Sequence, residues 1–174
     1  MNAEKKYIIR LYGDPVLRQT AKPVTDFSEM LRNFAEGMVE ALMEQEGLGL
    51  AAPQVGVADR VVVIDRRLGE GGNDFWVLIN PEIIGLEGEC TIEEGCLSVP
   101  TIWEDVVRPE FVRVKYQDIE GVERVAELEG MAARVVQHEA DHLNGILFVD
   151  RLSTVKRQLL AKSLKSIAEK GTIE

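Results

Sequence analysis

The sequence predicts an α+β fold in which antiparallel β-strands pack around a central helix bearing His138-Glu139-Ala140-Asp141-His142, with an amphipathic helix near the N-terminus and another helix at the C-terminus. Two observations predict it. Apolar residues recur at helical spacing near both ends of the chain and alternate with polar ones in between. The order is also helix, several strands, then helices, which places helices against an antiparallel sheet. Residues 28–46 set Met30 or Leu31, Phe34, Met38 and Leu42 on one face against Arg32, Glu36, Glu40 and Glu44, and Gly47 is a natural stop. Short β-rich runs follow at 61–65 and 75–79, the second closed by Asn80-Pro81, with a weaker one at 83–89. The clearest strand is 112–117, where Val112, Val114 and Tyr116 alternate with Arg113, Lys115 and Gln117. After a turn at 118–121, residues 122–128 can pair back with it as a hairpin. A second helix is expected from Gly130 to Gly145, and a third from Ser153, a plausible N-cap, to Gly171 with Leu160, Leu164 and Ile167 inward.

A chain of 174 residues with 45% hydrophobic and 29% charged content can bury a sizeable core without disulfides or structural metals, and no repeat or linker divides it. A single domain over 1–174 is expected. The balance of 20 basic against 30 acidic residues, net −10, argues against a surface that tracks phosphates, so stable nucleic-acid binding is excluded. Lys156, Arg157, Lys162 and Lys165 on the last helix can offer a transient ribosome contact, although a solvated helix face is the preferred reading. Near the start, Glu4, Lys5 and Lys6 precede an apolar run of only Tyr7 to Ile9, too short for a signal peptide, and nothing reaches membrane-spanning length. The expected location is the cytoplasm, where Cys90 and Cys96 stay reduced and free for metal binding.

The chemistry begins at residues 138–142, an HExxH sequence. On a helix its imidazoles lie one turn apart on one face and can share a metal ion, while Glu139 stands beside a metal-activated water without being a ligand. A solvated helix can spell these five residues by chance, but the sequence contains 2 histidines and both stand in the motif. A catalytic site needs a third protein ligand and one open position. No third histidine exists, and after Asp150 no acidic residue appears until Glu169, which disfavours a downstream glutamate ligand. The thiols upstream remain. Cys96, in Glu94-Gly95-Cys96-Leu97-Ser98, is preferred over Cys90, which lies in an ordinary β-like run; a plain buried cysteine is the alternative for each.

Residues 47–54, GLGLAAPQ, superficially match a dinucleotide-binding glycine pattern, but they follow a helix and meet Pro53 at once. A glycine turn joining helix to strand is the simplest reading. A more useful one is an extended backbone edge beside the metal, with Gly47, Leu48 and Gly49 pairing with substrate and the Gln54 amide facing a developing oxyanion.

In order and spacing, GLGLAAPQ at 47–54, EGCLS at 94–98 and QHEADHLNG at 137–145 closely resemble the three signature motifs of peptide deformylase. Tyr12-Gly13-Asp14-Pro15-Val16-Leu17-Arg18 resembles that family's N-terminal segment, so the likeness covers nearly the whole chain, and the helical C-terminal segment is similar to the bacterial class I type. One departure is Thr101, where many relatives carry glycine. The resemblance implies an enzyme that removes the formyl group from the N-terminal formyl-methionine of newly made proteins and releases formate. It implies metal ligation by Cys96, His138 and His142, with Glu139 as general base and then acid. Gln54 and the Leu97 backbone N–H would meet the oxyanion. Ferrous iron is the native metal that the resemblance implies, although the ligand set by itself suits zinc well and favours no other ion, and zinc or nickel can replace iron after oxidation. Met131, Val135, His138 and His142 fall on one helical stripe, which offers an apolar floor for the methionine side chain with Leu48 closing the other side; ordinary core packing is an equal reading of Met131 and Val135. A Glu94–Arg108 ion pair is expected to orient the Cys96 loop. Rival readings are an HExxH endopeptidase, disfavoured by the missing third histidine or glutamate, a structural site closed by Cys90, and an inactive relative, against which Glu139 and Gln54 stand.

Overall fold

The computed structural model describes residues 7–68 and 75–173, so the stretch with Glu4, Lys5 and Lys6 lies outside the described residues. In chain order the elements are β1 (Ile9–Arg10), α1 (Glu29–Glu44), β2 (Gly49–Ala51), β3 (Val61–Asp65), β4 (Phe75–Glu87), β5 (Cys90–Cys96), β6 (Val99–Arg108), β7 (Phe111–Gln117), β8 (Glu123–Glu129), α2 (Gly130–His142), α3 (Thr154–Lys170) and β9 (Thr172–Ile173). β2, β3, β4, β7 and β8 form, in that order, a five-stranded sheet; β5 pairs with β6, and β1 with β9. Every pairing between these strands is antiparallel, giving a mixed α+β architecture with three α-helices. Among the described residues no helix is long and apolar enough to cross a membrane.

β3 explains how the layers meet. Its five residues are all buried. Val61 and Val63 face a cluster containing Met38 and Leu42 of α1, Val106 of β6, Phe148, and Leu164 and Ile167 of α3. Val62 and Ile64 face a second cluster with Leu78, Val112, Val114 and the α2 residues Ala133, Val135 and Val136. An uninterrupted Val-Val-Val-Ile run is what a strand covered on both faces requires. α2 therefore lies on one face of the sheet and touches all five of its strands, while α1 packs against β2 and β3.

Two parts of the strand pattern differ from the sequence reading. The runs at 75–79 and 83–89 are one strand, β4, because Asn80-Pro81 makes a bulge and not an end. Asn80 adopts a φ of 51°, and its side-chain amide donates to the Val24 carbonyl and Gln117 Oε1 at 2.8 Å while its oxygen accepts from the Val24 N–H at 2.8 Å. Proline is tolerated at such a bulge, where the ladder makes no demand on its missing N–H. The β5–β6 hairpin was also not anticipated as a pair. On β6 the inward residues are Val99, Ile102, Glu104, Val106 and Arg108, while Trp103 and Val107 face out, so the apolar alternation that marks a half-buried strand is broken.

The helices begin and end on local chemistry. Ser28 precedes α1, and Ser153 caps α3 by accepting from the Lys156 N–H at 3.3 Å. α2 stops at His142, and the chain turns at Gly145 with a φ of 71° where a Cβ would sit 2.6 Å from the Arg18 carbonyl oxygen. Lys156, one of the five basic residues on α3, is paired with Glu104 of β6 at 2.7 Å.

Thr101 has a φ of 68°, a left-handed conformation that a β-branched residue adopts only under strain. Thr101→Gly should therefore stabilise the protein by about 1 kcal/mol, the relief of left-handed strain less the greater freedom of glycine in the unfolded chain. Urea unfolding of the two proteins checks this. A lower midpoint for the glycine variant would contradict it.

Candidate metal centre

Three separated segments meet at one point. On α2, the four-residue spacing puts the His138 and His142 rings side by side with centroids 5.1 Å apart. At the end of β5, the Cys96 sulfur lies 3.3 Å from His142 Nε2. One ligand atom from each of Cys96, His138 and His142 falls within 4.8 Å of the other two, close enough to share an ion. Cys90 is not part of this group: its sulfur lies 3.3 Å from a terminal nitrogen of Arg134.

The donor set fits a transition metal. One thiol and two imidazoles suit zinc or ferrous iron in softness and number, leaving a coordination position free of protein ligands. Burial opposes a charge on His138, yet hydrogen bonds to Cys96 and Glu94 raise its pKa well above the ordinary histidine value. Burial and the neighbouring His138 hold His142 well below that value. His138 Nδ1 is engaged by Glu94 Oε2 at 3.0 Å, which directs Nε2 toward the cluster.

Glu94 anchors this arrangement. Arg108 grips it with two bonds, Nε to Oε1 at 2.6 Å and a terminal nitrogen to Oε2 at 3.0 Å. Arg134 adds a third guanidinium bond to Oε1 at 2.6 Å. Burial would raise the Glu94 pKa, but His138 and Arg108 outweigh it and bring the carboxyl down to about 2. Arg108 also reaches Asp141 Oδ2 at 2.9 Å, and Asp141 is held from the other side by Arg151 with two bonds of 2.6 Å. The anticipated Glu94–Arg108 pair is thus the middle of a longer chain. Arg134, Asp141 and Arg151 were not singled out from the sequence, although Arg134 stands four residues before His138 on the same helix and that spacing was legible.

Glu139, on the next position of α2, is buried, and its Oε2 has no hydrogen-bond partner among the described residues. Burial pushes its pKa up to about 7, with Glu94 and Asp141 adding and with His138 and Arg108 opposing. The glycine segment lies directly against it. A Cβ on Gly49 would stand 2.7 Å from both Glu139 Oε1 and Val135 Cγ1, and one on Gly47 would stand 2.7 Å from Leu42 Cδ1 and 3.1 Å from Leu97 Cδ1. Close approach requires glycine at position 49, whereas at Gly47 the crowding atoms are the ends of leucine side chains that can give way. Among the described residues β2 pairs with β3 alone and ends the sheet, so its other edge is available to an extended chain. Leu48 and Met131 are exposed and Val135 is buried. Gln54 is fully buried: its oxygen accepts from the Ala51 N–H at 2.9 Å, and its nitrogen points to Cys96 Sγ at 3.6 Å and Ser98 Oγ at 3.2 Å.

The model of the family described as polypeptide deformylase matches residues 6–158. The chain belongs to that family. A peptide deformylase of Thermotoga maritima is 50% identical over 163 residues, 93% of this chain and 96% of the relative. One of Acidobacterium capsulatum is 46% identical over 160 residues, 92% of this chain and 94% of the relative. The crystal structure of a peptide deformylase of Thermus thermophilus superposes with a TM-score of 0.87 at 46% identity, over 94% of this chain and 98% of that one. That of Legionella pneumophila gives 0.84 at 43% identity, over 91% and 92%. Metal dependence is a property of this family, and the Cys96, His138 and His142 group is where this deformylase chain could hold its ion.

Because the Cys90 sulfur is turned to Arg134, Cys90→Ser should retain one equivalent of metal per chain, whereas Cys96→Ser should retain little after dialysis. Metal analysis by plasma emission decides it. Loss of metal from the Cys90 variant would restore the reading of a closed structural site.

Proposed function

We propose that this chain removes the N-formyl group from the N-terminal formyl-methionine of newly synthesised proteins and releases formate. The observation that carries the proposal is a Cys96, His138 and His142 group beside a buried Glu139 oxygen with no partner among the described residues, in a member of the polypeptide deformylase family. An ion held by these three residues, ferrous iron by family resemblance and zinc or nickel by the softness of the donors, supplies Lewis acidity and activates water at neutral pH.

The remaining work belongs to the protein. A Glu139 pKa near 7 suits a group that must take a proton from water and return it to the leaving amine. Gln54, fixed at both ends of its amide, and the Leu97 backbone N–H serve the developing oxyanion; donors held in place before the reaction need no reorganisation during it. Gly47, Leu48 and Gly49 pair with the substrate backbone along the open edge of β2, which accepts many sequences after methionine. Met131, Val135 and Leu48 receive the methionine side chain, and two of them, Leu48 and Met131, are apolar residues left exposed. In this reading residues 1–174 are one catalytic domain with α2 as its central element, working in the cytoplasm on nascent chains. A transient ribosome contact by α3 would rest on Arg157, Lys162 and Lys165, since Lys156 is occupied by Glu104.

Anaerobic assay of formate release from formyl-Met-Ala-Ser tests the function. Iron- or zinc-loaded wild type should release formate and leave unformylated peptide uncut, and Glu139→Ala should lose at least ~100-fold in rate with its metal still bound. No release with either metal, or cleavage of internal peptide bonds, would overturn the assignment. Gln54→Ala should lower kcat by about 100-fold, as expected for removal of one oxyanion donor; a rise in KM with unchanged kcat would instead make Gln54 a ground-state contact.

A further inference from the structure

Arg134 is a buried cation whose presence the fold alone does not explain. It lies on α2 between Ala133 and Val135, in a stretch that otherwise packs apolar side chains against the sheet. One terminal nitrogen donates to Glu94 Oε1 at 2.6 Å and the Val106 carbonyl at 2.9 Å; the other donates to the Cys90 carbonyl at 2.8 Å and lies 3.3 Å from the Cys90 sulfur. Its Nε is buried with no partner among the described residues. A buried charge with one donor unsatisfied costs stability, and apolar residues of similar volume commonly replace buried ion pairs without loss. Arg108 already meets Glu94 with a two-bond fork, so Arg134 is not needed to neutralise that carboxylate.

What Arg134 adds is direction. Arg108 forks Glu94 with Nε and one terminal nitrogen and reaches Asp141 with the other, so it ties the carboxylate to β6 and to the end of α2 but not to the turn of α2 that precedes His138. Arg134 does this from α2: anchored to the Val106 and Cys90 carbonyls of the β5–β6 hairpin, it donates to Oε1, opposite the Oε2 that accepts from His138. We propose that Arg134 is a positioning residue for the metal centre, holding the Glu94 carboxylate so that His138 keeps the ring orientation and tautomer that present Nε2 beside Cys96 and His142. The inference rests on the reading of these three residues as metal ligands and extends the supporting shell to a residue that touches none of the reacting atoms.

The test uses cobalt(II) as the probe, bound by the full chain in wild type, Arg134→Met and Arg134→Lys. Residues that support a metal-bound histidine typically change metal affinity by about 10–100-fold when replaced. In Arg134→Met, release of cobalt to excess EDTA should speed up by about tenfold or more and the visible cobalt bands should shift, with Arg134→Lys nearer to wild type. The melting temperature of the metal-free proteins is measured alongside. Release and bands that match wild type would overturn the proposal, and a lower metal-free melting temperature in that case would make Arg134 a clamp for the hairpin alone. Should Arg134→Met fail to fold by circular dichroism, Arg134→Gln is judged by the same two criteria. Neither readout uses a peptide substrate, so a failure of the deformylase assignment would leave this result standing, and the reverse also holds.

Discussion

Four N–H donors converge on the two oxygens of Glu94: two from Arg108, one from Arg134 and the Nδ1 of His138. A carboxylate taken out of water needs such partners, because an ionised group left unpaired in the interior costs several kcal/mol. The need for pairing is what fixes the geometry. Glu94 lies on β5, Arg108 on β6, and Arg134 and His138 on α2, so satisfying one carboxylate brings the hairpin and the helix into a single register. Cys96 follows Glu94 by two residues, and His142 follows His138 by one helical turn. Once Glu94 and His138 meet, the thiol and the second imidazole have little freedom to be elsewhere.

The other half of the site depends on the absence of side chains. Gly49 lets β2 approach Glu139 and Val135 closer than a Cβ would allow, and Gly47 just before it lies against Leu42 and Leu97. That closeness places a sheet edge left unpaired among the described residues beside the carboxylate whose second oxygen has no partner among them. A backbone edge recognises an extended chain without regard to its side chains, while the apolar residues around it choose what sits at the end. The burial that raises Glu139 to about 7 and the ion pairs that lower Glu94 to about 2 separate two carboxyl groups by their surroundings, one for proton transfer and one for permanent charge.

Much of this was legible in the residues. The helical spacing of His138 and His142, the thiol in a glycine-bearing turn and the glycine pair after α1 each announce their chemistry through spacing or conformational demand. β3 was readable because both of its faces are apolar, and β7 because only one is. β6 was hidden for the opposite reason: Glu104 and Arg108 face inward and Trp103 and Val107 outward, so charge pairing reversed the hydrophobic pattern. β4 appeared broken because a side-chain amide, Asn80, stands in for ladder bonds at the bulge, which no local preference reveals. The Glu94–Arg108 pair could be guessed, but its extension through Asp141 to Arg151 joins residues far apart in sequence and depends on the folded arrangement. Cys96 and Cys90 were distinguishable only by preference; in space they point to different partners, one to His142 and the other to Arg134.

The central claim is that one ion is held by one thiolate and two imidazoles drawn from these separated segments. X-ray absorption at the zinc edge of the zinc-loaded protein measures that set directly. The account predicts one sulfur at about 2.3 Å and two imidazole nitrogens at about 2.0–2.1 Å, with the remaining position filled by a light atom from solvent. Two sulfurs, or none, would contradict it.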